Sequence, residues 1–183
     1  SLSAKGGPNS AGIGSRYGGY EGTIAISGGT VTAKGGKNGA GIGGGYEGSG
    51  GTITISGGTV TATGGQYAAG IGGGYLGSGG AVVITGGSVN AKDGGYGAEA
   101  IGRGTDGTSS GSLKNSGGDN VYLTTVTLMR DGSAAANAVV SSLTASVSYA
   151  YGCNGVRTDA GGKLYLYLPE GTNVTETKAA DAA

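Results

Sequence analysis

Three tyrosines have the type and spacing that could do chemistry. Tyr17, Tyr46 and Tyr75 are 29 residues apart, and each lies four residues after an isoleucine held between small residues in a G-I-G triplet. Rings repeated at a fixed interval can form a platform against which a sugar ring packs, with phenol hydroxyls supplying hydrogen bonds. The same column also reads as a structural ladder covering glycine-rich backbone, and the sequence leaves both readings open. Small neighbours (GSGG after two of the tyrosines) favour accessible ring faces. Thr105 takes the next place and ends the column, and Tyr20 has no repeated counterpart.

Other chemistry finds less support. Ser1/Thr30/Thr59/Ser88 and Ser3/Thr32/Thr61/Asn90 form two hydroxyl-rich series at the same spacing. Threonine suits the solvent face of a strand, so an ordinary outer face is expected there. A calcium site needs clustered carboxylate oxygens. Glu21 and Glu47 do not align, and only Asp106 and Asp119 remain as holders of a single ion, so no metal and no cofactor is expected. Cleavage of a polysaccharide needs paired carboxylates, or a base with acidic partners. Glu21, Glu47, Asp93 and Glu99 fall at different places in the repeat, and Arg16 and Arg103 stand alone. A non-enzyme is expected, with a polysaccharide-degrading enzyme as the remote alternative. Cys153 is the single cysteine, which excludes a disulfide within the chain and suits a small buried hydrophobe.

The positioning elements come from the repeat. Ile13, Ile42 and Ile71 are 29 residues apart, and Ile101 follows at 30. TIAISGGTVTA starts at Thr23, TITISGGTVTA at Thr52 and AVVITGGSVNA at Ala81. SLSAKGG at the start aligns with TVTAKGG from Thr30, so the chain opens in mid-repeat and reads as a piece of a longer protein. A fixed period of this length marks a solenoid. Ile53 and Ile55 alternate with threonines, as do Val60 and Ala62. Alternation of β-branched residues argues for strands with one buried face, and Gly-Gly pairs supply corners.

Three short strands and three corners per repeat make one coil of a parallel β-helix. The fold expected is all-β, a right-handed parallel β-helix of about four coils with a small C-terminal antiparallel β module. Its buried columns are Ile24/Ile53/Val82, Ile26/Ile55/Ile84, Leu2/Val31/Val60/Val89, Ala4/Ala33/Ala62/Ala91 and Ile13/Ile42/Ile71/Ile101.

Composition fits this reading once the columns are seen. Gly and Pro make 49 of 183 residues, which alone would suggest a flexible linker. Linkers do not keep aliphatic residues in register, and collagen needs Gly at every third place. Formal charge is zero, histidine is absent and no basic run or stripe is seen along the sequence, so nucleic acid is not an expected partner. No apolar run is long enough to span a bilayer.

Two units follow. Residues 1–120 hold the coils, the last of them (105–120) degenerate and suited to a cap, with Leu113 keeping its column and Asn115 standing where isoleucine belongs. Residues 121–183 hold VYLTTVTLM, AVVSSLTASVSYAY and KLYLYLPEG, which read as strands of a small β-sandwich-like module, and a tail, TETKAADAA, expected to fray.

The run GAGIGGGYEGSGGTITISGGTVTATGG resembles the glycine-rich repeats of large surface proteins of Gram-positive, often gut-dwelling, bacteria. It is also similar to right-handed parallel β-helix modules that bind carbohydrate. TDAGGKLYLYLPEGT resembles the end of Cna-B-like modules. The Lys–Asn isopeptide of some of those modules is not carried over, because residues 121–128 contain no lysine. The paired hydroxyl series resemble the T-x-T faces of ice-binding solenoids. The resemblance implies an extracellular or cell-surface module that binds polysaccharide or host glycan, or acts as an adhesin, beside further domains of the same large protein. The alternative is a structural stalk.

Overall fold

The structure, a computed structural model, describes residues 1–19, 22–115, 117–127, 129–130, 133–134, 139–143, 150–151, 160–161, 163–169 and 177–180. Tyr20, Glu21 and Cys153 lie outside the described residues. Because apolar side chains recur every second residue within a strand and every 29 between strands, one register stacks them all on the inner side, though Leu2, expected in a buried column, stays exposed. The chain adopts it as a parallel β-helix with three sheets. The first sheet stacks Leu2–Lys5, Thr30–Lys34, Thr59–Thr63 and Ser88–Lys92. The second stacks Ile13–Gly14, Ile42–Gly43, Ile71–Gly72 and Ile101–Gly102. The third stacks Thr23–Ile26, Thr52–Ile55, Ala81–Ile84 and Ser112–Lys114.

Every neighbouring pair in the three sheets is parallel and in register, so Val31 lies on Val60, Ile42 on Ile71, and Ile55 on Ile84. Ile42, Ile53, Ile55, Ile71, Ile84 and Val60 are fully buried in one core. Leu113 keeps its column by pairing with Val82. Among the described residues there is no helix.

Glycine at the corners answers to the neighbouring coil. A Cβ built on Gly65 would stand 1.6 Å from the carbonyl oxygen of Gly36, and one on Gly94 1.6 Å from that of Gly65. Coils about 4.8 Å apart leave no room for a side chain pointing along the axis.

The two ends of the stack differ. Within the stack, Ser15, Gly44 and Gly73 donate their N–H to Gly43, Gly72 and Gly102 of the following coil, at 2.9, 2.8 and 2.9 Å. Arg103 holds the same place just after Ile101–Gly102, the last strand of the second sheet among the described residues. Its N–H donates instead to Glu99 Oε2 at 3.1 Å. Glu99 occupies the place of Ala11, Ala40 and Ala69, and its carboxylate stands in for the missing carbonyl. Arg103 Nε and the Ser110 hydroxyl donate to its other oxygen at 3.3 and 2.6 Å. Asn115, just past the last strand of the third sheet, ties its own turn, its Oδ1 accepting from the N–H groups of Gly117 and Asp119.

Glu99→Ala strips an acceptor from a sheet end. A charged hydrogen bond of this kind contributes about 1–2 kcal/mol where it is partly exposed. Urea unfolding should show that loss, with Glu99→Gln restoring most of it. Equal midpoints for wild type and Glu99→Ala would remove the capping role.

Among the described residues of the first coil, no side chain plays that part. Leu2 is 52% exposed, and Ile13, Ile24 and Ile26 are only half-buried. Val121 joins the solenoid core cluster, and its strand, Val121–Thr127, runs antiparallel to Lys163–Pro169. Ala150–Tyr151 pairs with the other edge of that strand. The described part of the tail does not end free: Thr177–Ala180 is a strand paired with Val139–Leu143, because its backbone finds an antiparallel edge to bond.

Candidate functional site

Each tyrosine of the repeated series sits in the turn between the second and third sheets. The turn is closed by Gly19, Gly48 and Gly77 donating to Arg16, Gly45 and Gly74, at 2.9, 2.8 and 2.8 Å. The residue after each tyrosine takes φ near +60°, which is Gly18 in the first coil but Glu47 (58°) and Leu76 (64°) above it. Non-glycine residues in this region are uncommon and cost conformational energy, so the surroundings must hold them. They are held by the coil ladder, in which Gly18, Glu47 and Leu76 donate to the carbonyls of Tyr46, Tyr75 and Thr105 at 2.8–2.9 Å.

A second tie fixes the rings sideways. Tyr46, Tyr75 and Thr105 donate their N–H groups to the carbonyls of Asn9, Asn38 and Tyr67, in the corner between the first and second sheets. Two corners distant in sequence therefore lie side by side.

The result is a belt of five rings. Tyr17 and Tyr46 stack at 5.0 Å with 15° between planes, and Tyr46 and Tyr75 lie 5.5 Å apart, tilted by 55°. Tyr67 is 5.3 Å from Tyr75, and Tyr96 is 5.1 Å from Tyr67. The three tyrosines of the spacing argument are brought together. Tyr67 and Tyr96 were missed by that argument, although they too are 29 apart, because Asn9 and Asn38 hold their place in the lower coils. Those asparagines form their own rung, Asn38 Nδ2 donating to Asn9 Oδ1 at 2.8 Å.

The rings are not equally open. One face of Tyr46 is taken by Tyr17, so the small neighbours do not free it. The exposed rings are at the two ends, Tyr17 at 55% and Tyr96 at 67%.

Carboxylates border the belt. Glu47 lies beside the Tyr17 phenol, and its negative charge, followed by burial and their hydrogen bond, raises the phenol above its ordinary pKa. Burial, then the charge and hydrogen bond of Asp106, does the same to Tyr75. Asp119 is hydrogen-bonded to Asn115 at 3.2 Å and lies at the cap turn. Among the described residues no three His, Cys, Asp or Glu side chains converge as metal ligands do. The outward hydroxyl series is formed, with Thr30 on Thr59 and Thr32 on Thr61.

This architecture also registers in sequence comparison. A family model, the beta helix repeat, matches residues 24–46 and 53–75. Both matches run from the third sheet, through the first and second, to the tyrosine of the turn, and their starts are one repeat apart. No curated protein and no solved structure matches the chain. No helix among the described residues is long and apolar enough to cross a membrane. The β-helix thus accounts for the placement of every ring in the belt.

Proposed function

We propose that this β-helix is a non-enzymatic glycan-binding module of an extracellular or cell-surface protein, and that the tyrosine belt is its contact surface. The carrying observation is the run of five rings in continuous contact along one edge. The two end rings are exposed and offer faces to a pyranose, while the middle rings offer edges and hydroxyls. Glu47 and Asp106 add acceptors beside the phenols. Each end ring should contribute about 0.5–1.5 kcal/mol beyond area burial, so single-module affinity is modest and gains from many copies on one surface.

The stalk reading draws on one observation, the near-parallel Tyr17–Tyr46 stack, which spends a ring face inside the protein. Titration against plant and host polysaccharides separates the two. Tyr17→Ala and Tyr96→Asn should each weaken binding several-fold while the melting temperature falls by no more than about 2–6 °C, the share of one ring contact. Asparagine suits position 96 because φ there is 54°. If wild type binds no glycan, or the end-ring variants bind as wild type does, the belt is a ladder and the module a stalk.

A further inference from the structure

The first sheet carries a line of charge that reading along the chain conceals. Lys5 pairs with Lys34, Lys34 with Thr63, and Thr63 with Lys92. The absence of a basic run along the sequence therefore does not hold across the coils. All three lysines are exposed. Lys5 and Lys34 stand one coil apart, about 4.8 Å, and Lys92 two coils beyond Lys34. No ion pair among the described residues engages Lys5, Lys34 or Lys92. Like charges directly opposite on neighbouring strands repel, so the column is a cost until an anion lies along it.

Its surroundings narrow the kind of anion. On the same outer face lie the hydroxyl columns Thr30/Thr59/Ser88 and Thr32/Thr61, running parallel to the lysines. On the other side, past the strand ends, the Lys37 ammonium sits 5.7 Å from the Tyr67 ring centroid. Among the described residues, the acidic groups of these coils have partners of their own. Glu47 and Asp106 are at the tyrosine turn, and Asp93, next to Lys92, accepts the Gly95 N–H in its own corner at 2.8 Å. The outer face of the first sheet has no arginine, the side chain whose planar fork suits phosphate. It has rows of hydroxyls instead, which match the hydroxyls of sugars.

We infer that the outer face of the first sheet binds a linear anionic polysaccharide. Its carboxylates lie along Lys5, Lys34 and Lys92, and its ring hydroxyls on the threonine columns. This site is on a different face from the tyrosine belt and does not depend on it.

The test titrates the full chain with polygalacturonate, with dextran as a neutral polymer and a DNA duplex as an unrelated polyanion. Polygalacturonate should bind, and binding should weaken between about 20 and about 200 mM salt as exposed charges are screened. The triple variant Lys5→Gln/Lys34→Gln/Lys92→Gln should bind about tenfold more weakly, at about two- to threefold per exposed pair. Thr63→Lys, which completes the column, should tighten binding about two- to threefold. Tyr17→Ala/Tyr96→Asn, which disables the belt, should leave the salt-dependent binding intact. Wild-type affinity in the triple variant, or a duplex bound more tightly than polygalacturonate, overturns the assignment.

Discussion

Ile55→Asp should abolish cooperative folding. Ile55 is fully buried between Ile26 and Ile84, in register with both. Removing its aliphatic side chain costs about 2–5 kcal/mol, as for other large-to-small core changes. A carboxyl in that column has no partner and adds a further penalty of several kcal/mol even if it takes up a proton. The sum is comparable to the whole stability of a domain, about 5–15 kcal/mol. Because each coil is stabilised through its neighbours, a break in the middle separates the stack into two short halves. Thr59→Asp places the same group on the exposed face of the adjoining sheet and should cost less than about 1 kcal/mol. Thermal unfolding of both variants by circular dichroism decides the matter: similar melting curves would show that the two faces have been assigned wrongly.

Gly65→Ala should be nearly as damaging, through a single methyl group. Its Cβ would lie 1.6 Å from the Gly36 carbonyl oxygen, which belongs to the backbone of the coil below. Backbone cannot rotate away as a side chain can, so two coils must separate and lose hydrogen bonds between them. A loss above about 3 kcal/mol is expected, at the upper end of overpacking effects. Gly7 holds the same place in the first coil, and a Cβ there meets nothing within 4 Å. Gly7→Ala should be neutral, or stabilise by up to about 1 kcal/mol through the unfolded chain. Comparable losses in the two variants, measured by urea unfolding, would mean that coil-to-coil crowding is not what glycine answers to.

How much of this was written in the sequence depends on whether a feature repeats without interruption. Ile13, Ile42, Ile71 and Ile101 do, and a parallel register turns sequence period directly into contact, so the core columns could be read off. The lysine column could not, since Thr63 interrupts it and three residues 29 or 58 apart do not look like a run. Tyr67 escaped because asparagine holds its place in the two lower coils. Its approach to Tyr75 depends on how two corners fold against each other, fixed by backbone bonds such as Tyr75 N–H to Asn38 carbonyl. Glu99 looked like an isolated acid. Its role exists only where the stack stops and a carbonyl is missing. The accessible ring faces expected from small neighbours failed at Tyr46 for a related reason, as the nearest neighbour of a stacked ring is the ring one coil away.

The coil-to-coil bonds decide how the β-helix answers when it is pulled. The chain runs around the axis while the bonds joining coils run along it, so tension on the polypeptide opens those bonds in succession rather than all at once. The edge of the second sheet tied by Glu99 should be among the last to yield. Each coil released frees 29 residues, about 100 Å of extended chain, in place of about 4.8 Å of axial height. A short rod of this kind is therefore also a length reserve, released one coil at a time.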